Sequence, residues 1–127
     1  MDASDLYKCL ADPQRLRILS LLEDGPLCVC HLQELLAESQ VKMSKQLAYL
    51  KQNGLVDARR EGTWMIYALR DDAAALLRVN LAHLREADCP ECDRLRQDLV
   101  ERARLVLRIT EGSAPCPESV CERIGCG

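Results

Sequence analysis

Phenylalanine is absent from this chain of 127 residues, and aromatic side chains together make up 3%. β-Sandwiches draw on aromatic and β-branched residues, so this scarcity, beside 22 leucines, points to packed helices. No apolar run reaches the ~18–20 residues of a membrane span, so no membrane partner is expected. The polar start, Met1-Asp2-Ala3-Ser4-Asp5, lacks the basic and apolar regions of a secretory signal, and a cytoplasmic location is expected. There is no internal repeat, and 48% apolar residues exclude a disordered chain. The length suits one domain. Cysteine is the abundance: there are eight. In a reducing compartment such residues are expected as metal ligands or reactive thiols rather than disulfides.

The net charge of −3 hides an asymmetry. Residues 1–39 carry 3 basic and 7 acidic side chains, residues 40–70 carry 6 and 2, and residues 71–127 carry 8 and 11. The middle window is therefore locally +4 inside an acidic protein. A phosphate-binding face needs only such local positive charge.

Leu6 and Leu10 lie one turn apart in a short first helix. Asp12-Pro13 reads as N-cap and first position of a second helix, which Asp24-Gly25-Pro26 ends. A third helix is expected from Val29 to Ala37. A fourth is expected near 42–53, anchored by Met43, Leu47 and Leu50. The period then changes to alternation. Leu55 to Ala58 and Trp64 to Leu69 read as a hairpin with Arg59, Arg60 and Gly62 at its tip. Asp71-Asp72 opens a fifth helix to about Ala87, and Cys89-Pro90 breaks it. A sixth, near 92–110, carries Leu95, Leu99, Ala103 and Val106. Gly112 to Gly127, with three Gly, two Pro and three Cys, reads as a flexible tail.

Two short helices, a tight turn and a two-stranded hairpin make a winged helix-turn-helix. The fold class expected is mainly α with a small β-hairpin, dimeric. The expected units are residues 1–88 for DNA binding and dimerisation, 89–111 as an added helix and 112–127 as the cysteine-containing tail. The fourth helix offers Lys42, Ser44, Lys45, Gln46 and Tyr49 opposite its apolar anchors, with Gln40 just before it. Gln and Ser suit base edges, and Lys suits phosphate or guanine. Arg59 and Arg60 suit a backbone or minor-groove contact. A helical domain with merely solvated polar faces is the plainer alternative. The element order together with the local charge outweighs it.

The segment from Leu10-Ala11-Asp12-Pro13-Gln14-Arg15-Leu16-Arg17-Ile18-Leu19 to Leu69 resembles the ArsR/SmtB family of metal-sensing bacterial repressors. Leu27-Cys28-Val29-Cys30, Ser39-Gln40-Val41-Lys42-Met43-Ser44-Lys45-Gln46-Leu47 and Arg60-Glu61-Gly62 before Tyr67-Ala68-Leu69 carry the resemblance, which covers more than half the chain. The first of these pieces is most similar to the arsenical-resistance operon branch. The resemblance implies a homodimer built on the first and fifth helices, bound to double-stranded operator DNA and released by a metalloid. Three positions depart from the branch: His31 replaces an Asp, Gln33 replaces the third Cys, and Gln46 replaces a His. A zinc site seen in other branches would fall at Arg70, Asp72, His83 and Glu86, and Arg70 cannot ligate zinc.

Trivalent arsenic and antimony are soft and select thiolates, so As(III) or Sb(III) is the expected inducer, with Cys28 and Cys30 as ligands. In a regular helix residues i and i+2 point about 200° apart, so one ion reaches both sulfurs only if the first turn is unwound. Cys116, Cys121 and Cys126 are open candidates for a third thiolate, and Cys9 is expected in the core. Cadmium, lead or thiol oxidation are alternative signals for the same DNA-binding fold. Cys89-Pro90-Glu91-Cys92 has the form of a redox motif, but a thiol oxidoreductase would need a preceding strand. An arsenate-reducing enzyme would need a Gly-rich loop beside its nucleophile. Neither is present in the pattern, so no enzyme is expected.

Overall fold

In the computed structural model, residues 2–73, 75–117 and 120 are described. The elements run α1 (Ala3–Leu10), α2 (Pro13–Glu23), β1 (Leu27–Cys28), α3 (Val29–Leu36), α4 (Gln40–Gln52), β2 (Val56–Glu61), β3 (Trp64–Leu69), α5 (Ala75–Glu86) and α6 (Pro90–Thr110). The three strands form one antiparallel sheet in the order β1-β3-β2.

Local chemistry sets the boundaries. Asp12 caps α2 by accepting from the N–H groups of Gln14 and Arg15, and Pro13 follows at the first helical position. Gly25, at φ 133, turns the chain out of α2 into β1. Ser39 accepts from the Lys42 N–H, so α4 starts at Gln40, two residues before the helix expected from periodicity. Ala37 closes α3 in the left-handed region at φ 51.

The core is built around α2, which packs against α1, α3, α4, β3 and α6. Leu16, Ile18, Leu19, Leu21 and Leu22 are all buried, so this helix is apolar on several faces rather than along one stripe. Leu32, Met43, Leu47, Leu50, Leu77 and Leu81 complete the core, with Cys9 inside it.

Three expectations are corrected. The buried face of α6 is Cys92, Leu95, Asp98, Arg102, Leu105 and Ile109, not the stripe through Leu99, Ala103 and Val106. The apolar pattern missed it because two of its members are charged and internally paired. The chain after α6 does not leave the body at once: Pro117 and Val120 are buried, and Cys116 packs beside them. Cys121 and Cys126 lie outside the described residues. Finally, Cys28 is bonded to Cys30 and Cys89 to Cys92, where thiols were expected. The Cα separations of 5.4 and 5.0 Å fall within the range a disulfide spans.

Candidate metalloid site and nucleic-acid interface

Cys28 ends β1 and is at once the N-cap of α3, with extended backbone at φ −79 and ψ 161. Cys30 lies in the first helical turn. The strand-to-helix junction therefore supplies the unwinding that the i, i+2 spacing demands, and the two sulfurs meet. Cys28 is buried and Cys30 exposed, so the pair opens to solvent on one side. A cleft of about 220 Å³ lies there, lined by Cys28, Val29 and Cys30 and by Thr63, Trp64 and Met65 of the hairpin.

His31 stands third in α3 and reaches back, as Glu or Gln does in a capping box. Its Nδ1 accepts the Cys28 N–H at 3.4 Å. That bond fixes the tautomer, so Nε2–H donates to the Pro115 carbonyl at 3.1 Å. Burial pushes the His31 pKa below its ordinary value, so the ring is neutral and both nitrogens are used. Trp64 tilts against it with ring centroids 6.4 Å apart. The ligand atoms of Cys28, Cys30 and His31 lie within 4.8 Å of one another. The sequence marked His31 only as a departure from the arsenical branch and Trp64 only as a hairpin residue, and assigned neither to the site. A titratable residue three after an N-cap was the available signal.

The sheet connects this junction to the hairpin. Cys28 pairs with Ile66, and Ile66 pairs with Arg59. One register line thus runs from the cysteine through β3 to an exposed arginine on β2. Arg59 and Arg60 lie within β2 rather than at the turn, which is Gly62-Thr63 between Glu61 and Trp64. Both arginines are exposed.

On α4, Gln40, Lys42, Ser44 and Lys45 are exposed as a group, while Met43, Leu47 and Leu50 are buried. Gln46 and Tyr49 depart from the open face expected of them. The Gln46 amide donates to Asp12 at 3.1 Å and Gln14 at 3.2 Å and accepts from Arg15. The Arg15 guanidinium lies 4.3 Å from the Tyr49 ring centroid. These two side chains fasten α4 to the start of α2. Asp72 is taken by Arg70 through bonds of 2.8 and 2.9 Å, and His83 and Glu86 are exposed. Among the described residues, no grouping of metal-ligand type forms there.

The family model for bacterial regulatory proteins of the arsR family matches residues 12–58. A transcriptional regulator of Methanocaldococcus jannaschii is 45% identical over 71 residues, spanning 55% of this chain and 80% of that one. The chain belongs to the arsR family. The arsenical resistance operon repressor of Escherichia coli is 48% identical over 65 residues, which cover 50% of this chain and 56% of the repressor. The homodimeric winged helix-turn-helix DNA-binding domain Mb0332 of Mycobacterium bovis superposes with a TM-score of 0.57 at 33% identity, covering 68% of this chain and 84% of that one. Arsenical and cadmium resistance regulators are both among the relatives. This arsR-family protein is accordingly a winged helix-turn-helix transcriptional regulator and not an enzyme. No described helix is long and apolar enough to cross a membrane.

Proposed function

We propose that this regulator is a metalloid-responsive repressor: a homodimer that holds operator DNA when empty and lets go when Cys28 and Cys30 bind As(III) or Sb(III). The observation that carries the reading is the junction of β1 and α3, where two cysteine sulfurs share one opening. Soft trivalent metalloids select sulfur over imidazole or carboxylate, so this donor pair fits them. The bonded pair must first be reduced. Two small-molecule thiols supply the two electrons and two protons and leave as their own disulfide.

Release follows from position. Cys28 is both a strand residue and a helix cap, so seating a metalloid between its sulfur and that of Cys30 displaces β1 and the first turn of α3 together. α3 packs on α4, which presents Gln40, Lys42, Ser44 and Lys45, and β1 pairs with the hairpin that carries Arg59 and Arg60. Both DNA-facing groups thus move against one another. For the dimer, Tyr7 on α1 and Leu76 and Val79 on α5 are apolar and exposed, Val79 at 63%. They give a second copy a face to cover. A dimer would place two α4 helices in successive major grooves of an inverted repeat.

The test is a mobility shift on promoter DNA against random duplex, with reduced protein and rising arsenite. Wild type should prefer the promoter and dissociate. Cys28→Ser and Cys30→Ser should bind DNA as wild type does and lose the response, because serine is a hard, neutral ligand. Release of both variants at wild-type arsenite concentrations would place the sensor elsewhere. The Cys28–Cys30 disulfide favours a second reading, in which an oxidant removes two electrons and two protons from the pair and this alone is the signal. Oxidised protein that leaves DNA without arsenite would support it.

A further inference from the structure

The α3 junction offers two sulfurs, and at position 33, where the resemblance to the arsenical branch implies a third cysteine, this chain has Gln33. The chain returns to this place from its far end. After α6, Gly112 takes φ 80, and the N–H groups of Ser113 and Ala114 both bond the Arg108 carbonyl, at 2.9 and 3.1 Å. That reversal carries the next residues back over α3. The Pro115 carbonyl meets His31 Nε2 at 3.1 Å. The Arg108 guanidinium meets Glu34 of α3 at 2.9 Å. Cys116, one residue beyond the clamp, packs with Trp64 against the cluster of Cys28, Ile66 and Val120.

We propose that Cys116 is the third thiolate of the inducer site, completing with Cys28 and Cys30 a three-sulfur site for a soft trivalent metalloid. This rests on the sensor reading above. His31 is then a positioning residue: one ring nitrogen holds the Cys28 backbone and the other holds Pro115, so it sets the distance between the helix cap and the returning segment. It is a poor competitor for the third position, because imidazole is harder than thiolate and both nitrogens already have partners. Cys9 is sealed in the core, and Cys89 and Cys92 lie at the start of α6, where Cys89 borders Tyr7, Leu10 and Asn80 rather than the cleft at Cys28 and Cys30.

The exchange balances without a redox step once the pair is reduced. Arsenous acid gives up three hydroxyls, three thiols give up three protons, three As–S bonds form and three waters leave. Each thiol gives its proton to a departing hydroxyl of arsenous acid as its sulfur bonds to arsenic. The segment is already docked in the empty protein. The ~1–2 kcal/mol per residue that ordering a free tail would cost is therefore met on folding rather than on binding.

X-ray absorption at the arsenic edge decides the matter, on full-length protein reduced with a phosphine and loaded with arsenite in thiol-free buffer. Wild type should show three sulfurs around arsenic, and Cys116→Ser two sulfurs and one oxygen. In the mobility shift, Cys116→Ser should bind DNA normally and need more arsenite for release, by less than about 100-fold. His31→Ala should bring the mean sulfur count below three. His31→Gln, which can accept from Cys28 and donate to Pro115, should restore it. Three sulfurs in Cys116→Ser, or two in wild type, overturn the assignment of Cys116 and leave the sensor reading standing. No As–S bond in wild type overturns the sensor reading itself.

Discussion

His31 shows how much one side chain can join. It caps α3 through Cys28, touches Trp64 in the hairpin and holds the carbonyl of a residue 84 positions away. Its neutrality has a consequence for stability. Burial lowers its folded pKa below the ordinary value of about 6.5. The unfolded chain therefore takes up this proton first as pH falls. The stability tied to neutral His31 is complete above about pH 6.5 and declines from there down through the lower folded pKa. The bond to the Pro115 carbonyl and then Glu34 oppose the shift, Arg102 and Arg108 reinforce it, and desolvation, the largest cause, sets the sign. Urea midpoints at pH 7 and pH 5 should show wild type losing more stability than His31→Gln, whose amide does not titrate. Equal losses would mean that His31 is protonated in the native protein without penalty. This role was not legible in the sequence. Asp12-Pro13 announces its cap within three residues, whereas the meaning of His31 depends on where Pro115 arrives.

At the scale of elements, α6 is the part the pattern misread. A helix whose buried stripe contains Asp98 and Arg102 looks polar where it is in fact docked. Asp98 takes Arg17 of α2 in a two-pronged pair at 2.8 and 2.9 Å, and Arg102 donates to the carbonyls of Leu21 and Gly25 where α2 ends. Such pairs are weak evidence for net stability, because desolvation offsets the attraction, but removing one partner strands the other. Asp98→Ala should destabilise the fold by about 3 kcal/mol, read from denaturant unfolding, since Arg17 would remain largely buried without its carboxylate. A loss under about 1 kcal/mol, the scale of an exposed pair, would show that water reaches Arg17 freely. β1 was missed for a simpler reason. Two residues cannot display a period of two, and only pairing with Tyr67 and Ile66 makes them a strand. The helix-turn-helix and the hairpin were legible because Met43, Leu47 and Leu50 repeat at 3.6 and the hairpin alternates. The cysteine pair was legible as chemistry, but its geometry depended on that invisible strand.

For the whole molecule, the two halves of the proposed switch sit on opposite edges of one sheet. The cysteine junction occupies the β1 edge, the arginines lie on β2, and β3 is the shared strand. Charge is divided in the same way: the +4 window of residues 40–70 forms the exposed faces of α4 and β2, and the rest of the chain is acidic. An acidic body repels DNA except along that face, so affinity should rest on few phosphate contacts, and the salt dependence should count them. Lys45 is exposed on α4 and central in the window. Each phosphate neutralised on duplex DNA contributes about 0.9 to the slope of log K against log salt, and a dimer carries each side chain twice. Lys45→Ala should therefore flatten that slope by about 1.8 and weaken promoter and random DNA alike. Gln46, held by Asp12 and Gln14, should leave the slope unchanged when replaced. If Lys45→Ala lowered promoter affinity at constant slope, Lys45 would be reading a base rather than positioning the backbone. The recognition helix would then lie rotated toward its lysine face in the groove.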